Sequence, residues 1–542
     1  MEIQPRFSRE FLYVLSGILA HALYFIHGEH HLHPLAPVKA YGCLILTITA
    51  YGAFLGDGKI VSSFSTAIYT LSLHQLGLFS SIVIYRLFFH RLCRFPGPVA
   101  ARISMGWLLW QNIRCQKGYL KLASLQEKYG KFVRVGPNKL VVFDANTLQA
   151  IENPANGCTK SDWYDCGYPT TGLNMWREID LHDSRRKVWA NAFGSQSMAY
   201  FDTIINLYCT KFVRLLAKSE GCPINLTQYF NLLTFDIIGE IGFSHTFGAL
   251  ERGAGYKIEE VVARFMEALG AISAMPWLCR LLTDIPGMLS PWTGFLEWCR
   301  NLVLQRIESK VDYPDISSVW ISHSREAGTL EQDTLLLQGD AQTLIVAGSD
   351  TVASVLTHLF YHLCLQPEHQ EKIKEELSQV PGRFDARTLQ NCTHLNAVID
   401  ETMRLHASVP TGGERLTGAA GLTIDGVFIP PNVAILPARY VLGRMEDCFE
   451  KADRFLPERW YPNSKLRHEK RAHLPFGEGR YGCIGRALAL MEIRCVVATL
   501  LNSYTVRFAA EENKHRVVED MRDHVAAAPG RLDVVFERSL DN

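Results

Sequence analysis

A single cysteine stands among glycines near the end of the chain, in the run Phe476-Gly477-Glu478-Gly479-Arg480-Tyr481-Gly482-Cys483-Ile484-Gly485. Glycines allow a tight loop with positive φ angles and let a flat group approach the backbone. An apolar run with helical spacing begins at Ile484, which puts Cys483 at the positive end of a helix dipole among free N–H groups. That setting favours thiolate over thiol, and a coordinated metal would deprotonate the sulfur outright. The chemistry on offer is metal–thiolate ligation. Taken alone, a cysteine beside a turn is usually a buried structural thiol, so the company it keeps has to decide.

Other groupings could join it. Ala347-Gly348-Ser349-Asp350-Thr351 places a glycine and short polar side chains inside an apolar helical run, where they are locally unfavourable. The plain reading is a packing notch with a solvated acid. Glu401-Thr402-Met403-Arg404 is an i, i+3 pair of a kind that decorates many exposed helices. His182 and Arg186, four apart, share one helical face.

In this order along the chain, the stretches resemble the cytochrome P-450 superfamily. The family's haem-binding loop reads Phe-x-x-Gly-x-Arg-x-Cys-x-Gly, and Phe476, Gly479, Cys483 and Gly485 match it. Tyr481 stands at the usual basic position, whose arginine normally bonds a haem propionate, with Arg480 next door as a substitute. The resemblance implies haem b with Cys483 as axial iron ligand. It implies that His182 (where Trp is usual), Arg186 and Arg415 donate to the propionates, a charge-assisted arrangement. Glu401, Arg404 and the Arg459 of Pro457-Glu458-Arg459-Trp460 would form a buried ion-pair network behind the haem loop. Gly348 would let the long helix open for dioxygen, and Asp350 and Thr351 would be the acid–alcohol pair that supplies protons.

The activity so implied is monooxygenation: one oxygen atom of dioxygen enters a lipophilic substrate and the other becomes water. Electrons would come from NADPH through a membrane-bound NADPH–cytochrome P-450 reductase. No FMN or Rossmann-type glycine fingerprint appears in the chain. Arg185, Lys187, Arg480 and Arg486 cluster around the haem motifs as a basic docking face. Two other readings stay open: a haem-thiolate isomerase or lyase that consumes a peroxide without reductase, against which Asp350 and Thr351 argue, and a non-enzymatic haem-binding membrane protein. The N-terminal segment, its Tyr24–His31 loop and the Cys-Ile-Gly-Arg sequence resemble fungal secondary-metabolism members of the family, the tryprostatin B hydroxylase-like group among them. That implies an alkaloid, terpenoid or polyketide intermediate as substrate.

These residues need elements to hold them. Helical periodicity runs through residues 200–217, 258–269, 335–365, 368–380, 395–406 and 484–501. Residues 132–135 and 140–143 alternate around Gly136-Pro137-Asn138 as a hairpin, and 422–424 and 427–429 do so around Asp425-Gly426. The fold expected is mainly α with a minor β portion, the cytochrome P-450 fold by resemblance, preceded by N-terminal transmembrane helices. Residues 95–542 form one haem-thiolate monooxygenase domain, with pocket walls from segments 158–175, 200–216, 341–352 and 409–413.

Ahead of that domain lie three apolar stretches, residues 11–26, 40–56 and 60–85. A bilayer-spanning helix needs about 20 mainly apolar residues; the third stretch exceeds that and the others come near it. Arg86, Arg91 and Arg94 follow the third directly and hold everything after it in the cytosol. One span or three gives this orientation; two would reverse the N-terminus. Phe95-Pro96-Gly97-Pro98 ends the segment stiffly. Residues 1–94 are therefore a membrane anchor of one to three transmembrane helices, expected in the endoplasmic reticulum membrane. His27, His30, His31 and His33 make a polar interfacial loop or, alternatively, a metal site. Lys+Arg and Asp+Glu each number 55 in 542 residues, so bulk charge announces no nucleic-acid partner. The 14 cysteines are scattered without a CxxC pair, as suits reduced cytosolic thiols. The sequons at Asn225 and Asn391 carry no meaning for a domain on that side of the membrane.

Overall fold

The computed structural model describes residues 8–55, 59–253, 257–309, 314–380, 384–467 and 469–538. Gly56, the end of the second apolar stretch, and residues 539–542, the end of the expected domain, lie outside them.

The apolar N-terminal stretches fold as three packed helices. Leu35–Leu55 and Ile60–Phe89 are each long and apolar enough to cross a membrane. The first stretch is shorter, an α-helix Arg9–Ala20 that runs on as a π-turn His21–Phe25. It lies parallel to Ile60–Ile84: Ser16 meets His74 at 2.9 Å and, further along both, His21 meets Ser81 at 2.8 Å. Gly17 and Gly77 let these two backbones touch, since a Cβ on either would overlap the other helix's main chain; small residues serve the same purpose between helices in lipid. Parallel packing puts the histidine loop at the end of the bundle where Arg86 begins the domain. There His31 meets Asp165 at 2.7 Å, and Arg177 bridges Asp165 and Glu29. Glu29, His31 and Asp165 lie close enough to share a cation, but Arg177 already occupies the space between the two carboxylates, so the loop is an ion-paired strap. Burial pulls the His31 imidazole down, but its bond to Asp165 and the charges of Asp162, Asp165 and Glu29 outweigh burial and hold it above its ordinary value.

The rest is mainly helical. Its centre is the helix Thr334–Leu365, apolar on nearly every side and two-thirds buried, which marks a core helix although its length and hydropathy would also suit a membrane. The helices Leu226–Phe243 and Arg486–Ser503 pack against it. The expected helical stretches form close to their expected bounds, with one shift that matters: the helix after the cysteine loop starts at Arg486, with Gly485 as its cap.

Both expected hairpins are present. Asp425 and Gly426 adopt φ values of 47° and 71° between paired Leu422–Ile424 and Val427–Ile429, as a tight hairpin turn requires. The other hairpin joins a five-stranded sheet in the order Phe132–Gly136, Lys139–Val142, Ala434–Leu436, Arg415–Leu416, Thr159–Lys160. At its edge Lys160 pairs directly with Arg415, and this edge faces the site.

Candidate active site

A cavity of about 390 Å³ lies between the long helix Thr334–Leu365 and the cysteine loop. Phe476, Gly482, Cys483 and Gly485 line one side of it. The loop is held by Cys483 N–H donating to the Phe476 carbonyl at 2.8 Å. Gly477 and Gly479 take positive φ, and a Cβ on Gly479 would overlap the Glu152 carbonyl and Pro154. Gly479 therefore shapes the loop from behind and does not line the cavity. The Cys483 side chain is open to the cavity. Burial pushes its thiol up, against the Gly485 N–H, Arg186 and Arg486, which pull it down. The helix begins at Arg486, three residues after Cys483, and without a bound cation desolvation outweighs the Gly485 N–H and the two guanidiniums. Only a coordinated cation would reverse the balance.

Across the cavity stand Ala347, Gly348 and Thr351. The helix is unbroken here. A Cβ on Gly348 would come within 2.5 Å of Ile238 Cδ1, and the missing side chain lets the helix Leu226–Phe243 pack close. Thr351 faces the cavity and donates its hydroxyl to the Ala347 carbonyl at 2.7 Å. Asp350 does not line the cavity; it accepts from Ser349 Oγ at 3.3 Å, and burial pushes its carboxyl up to about 6.

A cationic wall closes one end. His182 and Arg186 reach it from the helix Ile179–Asn191, Lys160 and Arg415 from the sheet edge, and Arg439 from below. Glu152 is the carboxylate among them: it accepts from Arg415 at 3.1 and 3.2 Å and lies 3.6 Å from Arg439. His182 is 2 % exposed, and burial followed by repulsion from Lys160 lowers its pKa to about 4. Its Nδ1 lies 3.0 Å from Asp183 Oδ1, a carboxylate that can only accept, so a neutral ring spends its one N–H there. Arg480 does not reach this wall; it pairs with Asp183 on the outer side. Tyr481 does reach it, with its ring 4.7 Å beneath the Arg415 guanidinium and 5.1 Å from Lys160 Nζ. Of the basic face drawn from Arg185, Lys187, Arg480 and Arg486, Arg185 is buried against Asp340 and Arg480 is paired, which leaves Lys187 and Arg486 exposed.

Behind the cysteine loop, Glu401 is fully buried and accepts five hydrogen bonds. They come from Arg404 Nε (2.8 Å) and Nη2 (2.7 Å), Arg459 Nε (3.3 Å), Trp460 Nε1 (2.9 Å) and Leu456 N (2.9 Å). Both guanidiniums are themselves buried. The Trp460 ring packs on His473 at 4.7 Å, three residues before Phe476, and so ties the network to the loop.

Most expected wall segments line the cavity: Leu173, Met175, Leu344, Val409 and Gly413 represent three of them. Residues 200–216 do not. Their helix packs on the far side of Arg486–Ser503, and Ile237, Ile241, Phe265 and Leu269 supply that wall instead. Lys160 and Tyr164 fall in the expected segment 158–175 without a motif to single them out, and Glu152 and Arg439 lie outside every expected segment. Each sits in a short element with no motif around it; sheet pairing brings Lys160 to Arg415, and Arg415 in turn holds Tyr164 and Glu152.

Comparison with known proteins agrees with this geometry. The family model described as "Cytochrome P450" matches residues 96–536. "Cytochrome P450 monooxygenase FCK2" of Fusarium pseudograminearum is 35% identical over 538 residues, covering 97% of each chain. "Cytochrome P450 monooxygenase notG'" of Aspergillus versicolor is 32% identical over 98% of this chain and 99% of its own. "Tryprostatin B 6-hydroxylase" of Aspergillus fumigatus is 33% identical over 97% of this chain and 95% of its own.

Proposed function

Because this chain belongs to the cytochrome P-450 family and is an oxidoreductase of the monooxygenase class, we propose that it is a membrane-anchored enzyme of fungal secondary metabolism that oxygenates a lipophilic intermediate. The observation that carries the reading is Cys483, open to an apolar cavity opposite Thr351 and beside a wall of cations. These residues fit a haem. Glycines keep the loop beneath the cavity thin, and Arg415 Nε and the Tyr481 hydroxyl, buried polar atoms of lining residues, have no hydrogen-bond partner among the described residues.

Cys483 would hold the iron, with Phe476 and Gly485 bounding the loop beside it. Arg186 and Arg415 would bind the propionates, and His182 would join them through Nε2 once a propionate beside it favours its second proton. When bound, haem supplies the redox chemistry, by which one oxygen atom of dioxygen enters the substrate and the other leaves as water, at the cost of two electrons from NADPH and two protons. The protein's share is positioning, exclusion of water and proton supply. Trp189, Phe193, Phe265 and Met266 keep the upper cavity apolar, which suits a lipophilic substrate. Asp350, poised near 6, would take and release protons close to neutral pH, and Thr351 would present its hydroxyl at the cavity wall to the reacting group. The helices of residues 9–89 would anchor the chain in the endoplasmic reticulum membrane with the domain in the cytosol, within reach of NADPH–cytochrome P-450 reductase.

The test is spectral and kinetic. The reduced full-length protein should show the strongly red-shifted Soret band of a thiolate-ligated carbonyl complex, and Cys483→Ala should lose it. Survival of the band in that variant refutes the ligand assignment. Turnover should require NADPH and reductase, and Thr351→Ala should lower coupled product formation by about 100-fold or more while the band stays. Turnover from a peroxide substrate without reductase would favour the isomerase or lyase instead.

A further inference from the structure

The cysteine loop carries Tyr481 where a cation would be expected to meet a haem carboxylate, and the cavity wall shows where a cation lies instead. We propose that Lys160 and Tyr481 together form a carboxylate-binding site for the haem, with Lys160 supplying the charge and Tyr481 positioning it and adding its hydroxyl. The proposal rests on the haem-thiolate reading above.

Several independent features support it. Lys160 and Arg415 are direct cross-strand partners with side chains on one face, and like charges so placed repel. Both hang over the same Tyr481 ring, at 5.1 and 4.7 Å, a cation–π arrangement that tolerates two cations only partly. Arg186 and Arg439 add to the same wall. Against these stands Glu152, already bonded to Arg415 and close to Arg439. A buried surplus of positive charge is costly without a counter-anion, and a dicarboxylate would cancel it.

The hydrogen-bond inventory agrees. Lys160 is 3 % exposed, and its ammonium spends one donor on the Leu173 carbonyl at 3.2 Å; an ammonium carries three. The Tyr481 hydroxyl and Arg415 Nε are buried without partners among the described residues. Three groups that want an acceptor thus converge on one corner of the cavity. Burial, then repulsion from Arg415 and Arg186, drives the Lys160 ammonium well below its ordinary range, and an anion there would restore its charge.

The experiment compares haem retention in full-length holoprotein, read as the rate of haem transfer to excess apomyoglobin. Lys160→Met should release haem about ten- to a hundredfold faster, the weight of one charge-assisted hydrogen bond. Lys160→Arg should stay within about threefold of wild type, as should the double variant Lys160→Met/Tyr481→Arg, which moves the cation onto the loop. If Lys160→Met accumulates without haem, the same comparison is read as haem per protein across the four proteins. Unchanged release in Lys160→Met overturns the proposal, and so does failure of the relocated cation to restore retention, since a packing defect would not be cured by charge at 481. The wild-type carbonyl band separates the two levels. Its absence sinks the haem-thiolate reading, whereas its presence with unaltered release in Lys160→Met sinks this proposal alone.

Discussion

Replacing Glu401 by Gln changes one oxygen for an amide and removes one charge, and its cost can be worked from the contacts. The two carboxylate oxygens share five donors, two on Oε2 and three on Oε1. Whichever oxygen becomes NH2, two or three buried donors then point at a donor. Each buried group left unsatisfied costs about 1–3 kcal/mol, and breaking one side of a buried ion pair costs about 3–5 kcal/mol. These overlap, so the estimate is about 4 kcal/mol or more, a large part of the about 5–15 kcal/mol that holds a domain together. Because Trp460 is both a donor to Glu401 and the platform under His473, the loss should reach the cysteine loop. Detergent-solubilised Glu401→Gln should therefore melt far below wild type and retain less haem per protein. A destabilisation under about 1 kcal/mol, the level of an exposed pair, with full haem content would refute the view that this network supports the loop.

Two further outcomes follow from packing and protonation. Gly348→Ala sets a Cβ against Ile238; it should cost about 1–3 kcal/mol of stability by overpacking, and Ile238→Ala in the same chain should recover at least half of it, whereas strictly additive losses in thermal midpoint would contradict the close-packing role of the glycine. Burial lowers the pKa of His182, His358 and His394 to about 4, and that of His362 and His406 well below the ordinary value. The unfolded chain takes up these protons below about pH 6.5 while the native state refuses them, so stability is complete above that value and falls by about 1.4 kcal/mol per pH unit per histidine as pH drops toward 4. Asp350, Asp400 and Asp523, raised to about 6 by burial, and Asp236, Asp340 and Glu492, also raised, work in the opposite sense. His369, His473 and His524 are lowered too and keep the histidines in the majority. The thermal midpoint should accordingly drop between pH 7 and pH 5, and a flat or rising profile would show that these rings are not held neutral.

What was legible in the sequence was whatever depends on near neighbours in the chain. The Asp425-Gly426 turn, the long apolar helix and the glycines around Cys483 act through local backbone geometry, and they fold as their residues dictate. The pair Glu401 and Arg404 was legible in part, since i, i+3 spacing gives contact but not burial. The strands Tyr504–Phe508 and Asp533–Arg538 escaped because their pairing, to each other and to Ile224–Asn225, is long-range. Cys483 depends on both ranges: the Gly485 N–H close in sequence lowers its pKa, while burial among residues distant in the chain raises it.

The same distinction explains the cavity's cationic corner. Lys160 sits in a short stretch, Thr159–Lys160, that carries no helical or strand signature and gains meaning only by pairing with Arg415, some 250 residues on. Its neighbours in sequence then acquire two duties at once. Trp163 and Tyr164 turn into the cavity, while Asp165 and Arg177 turn outward to Glu29 and His31 of the anchor loop. The first and third N-terminal helices run parallel, which returns the chain to the domain's side after the first helix. The loop directly precedes Leu35–Leu55, so the second and third helices, crossing as a pair, by themselves bring it to the domain's side. The contact of His31 with Asp165 is thus itself an argument about topology: it requires the second and third helices to pair as a hairpin, whatever the first helix does.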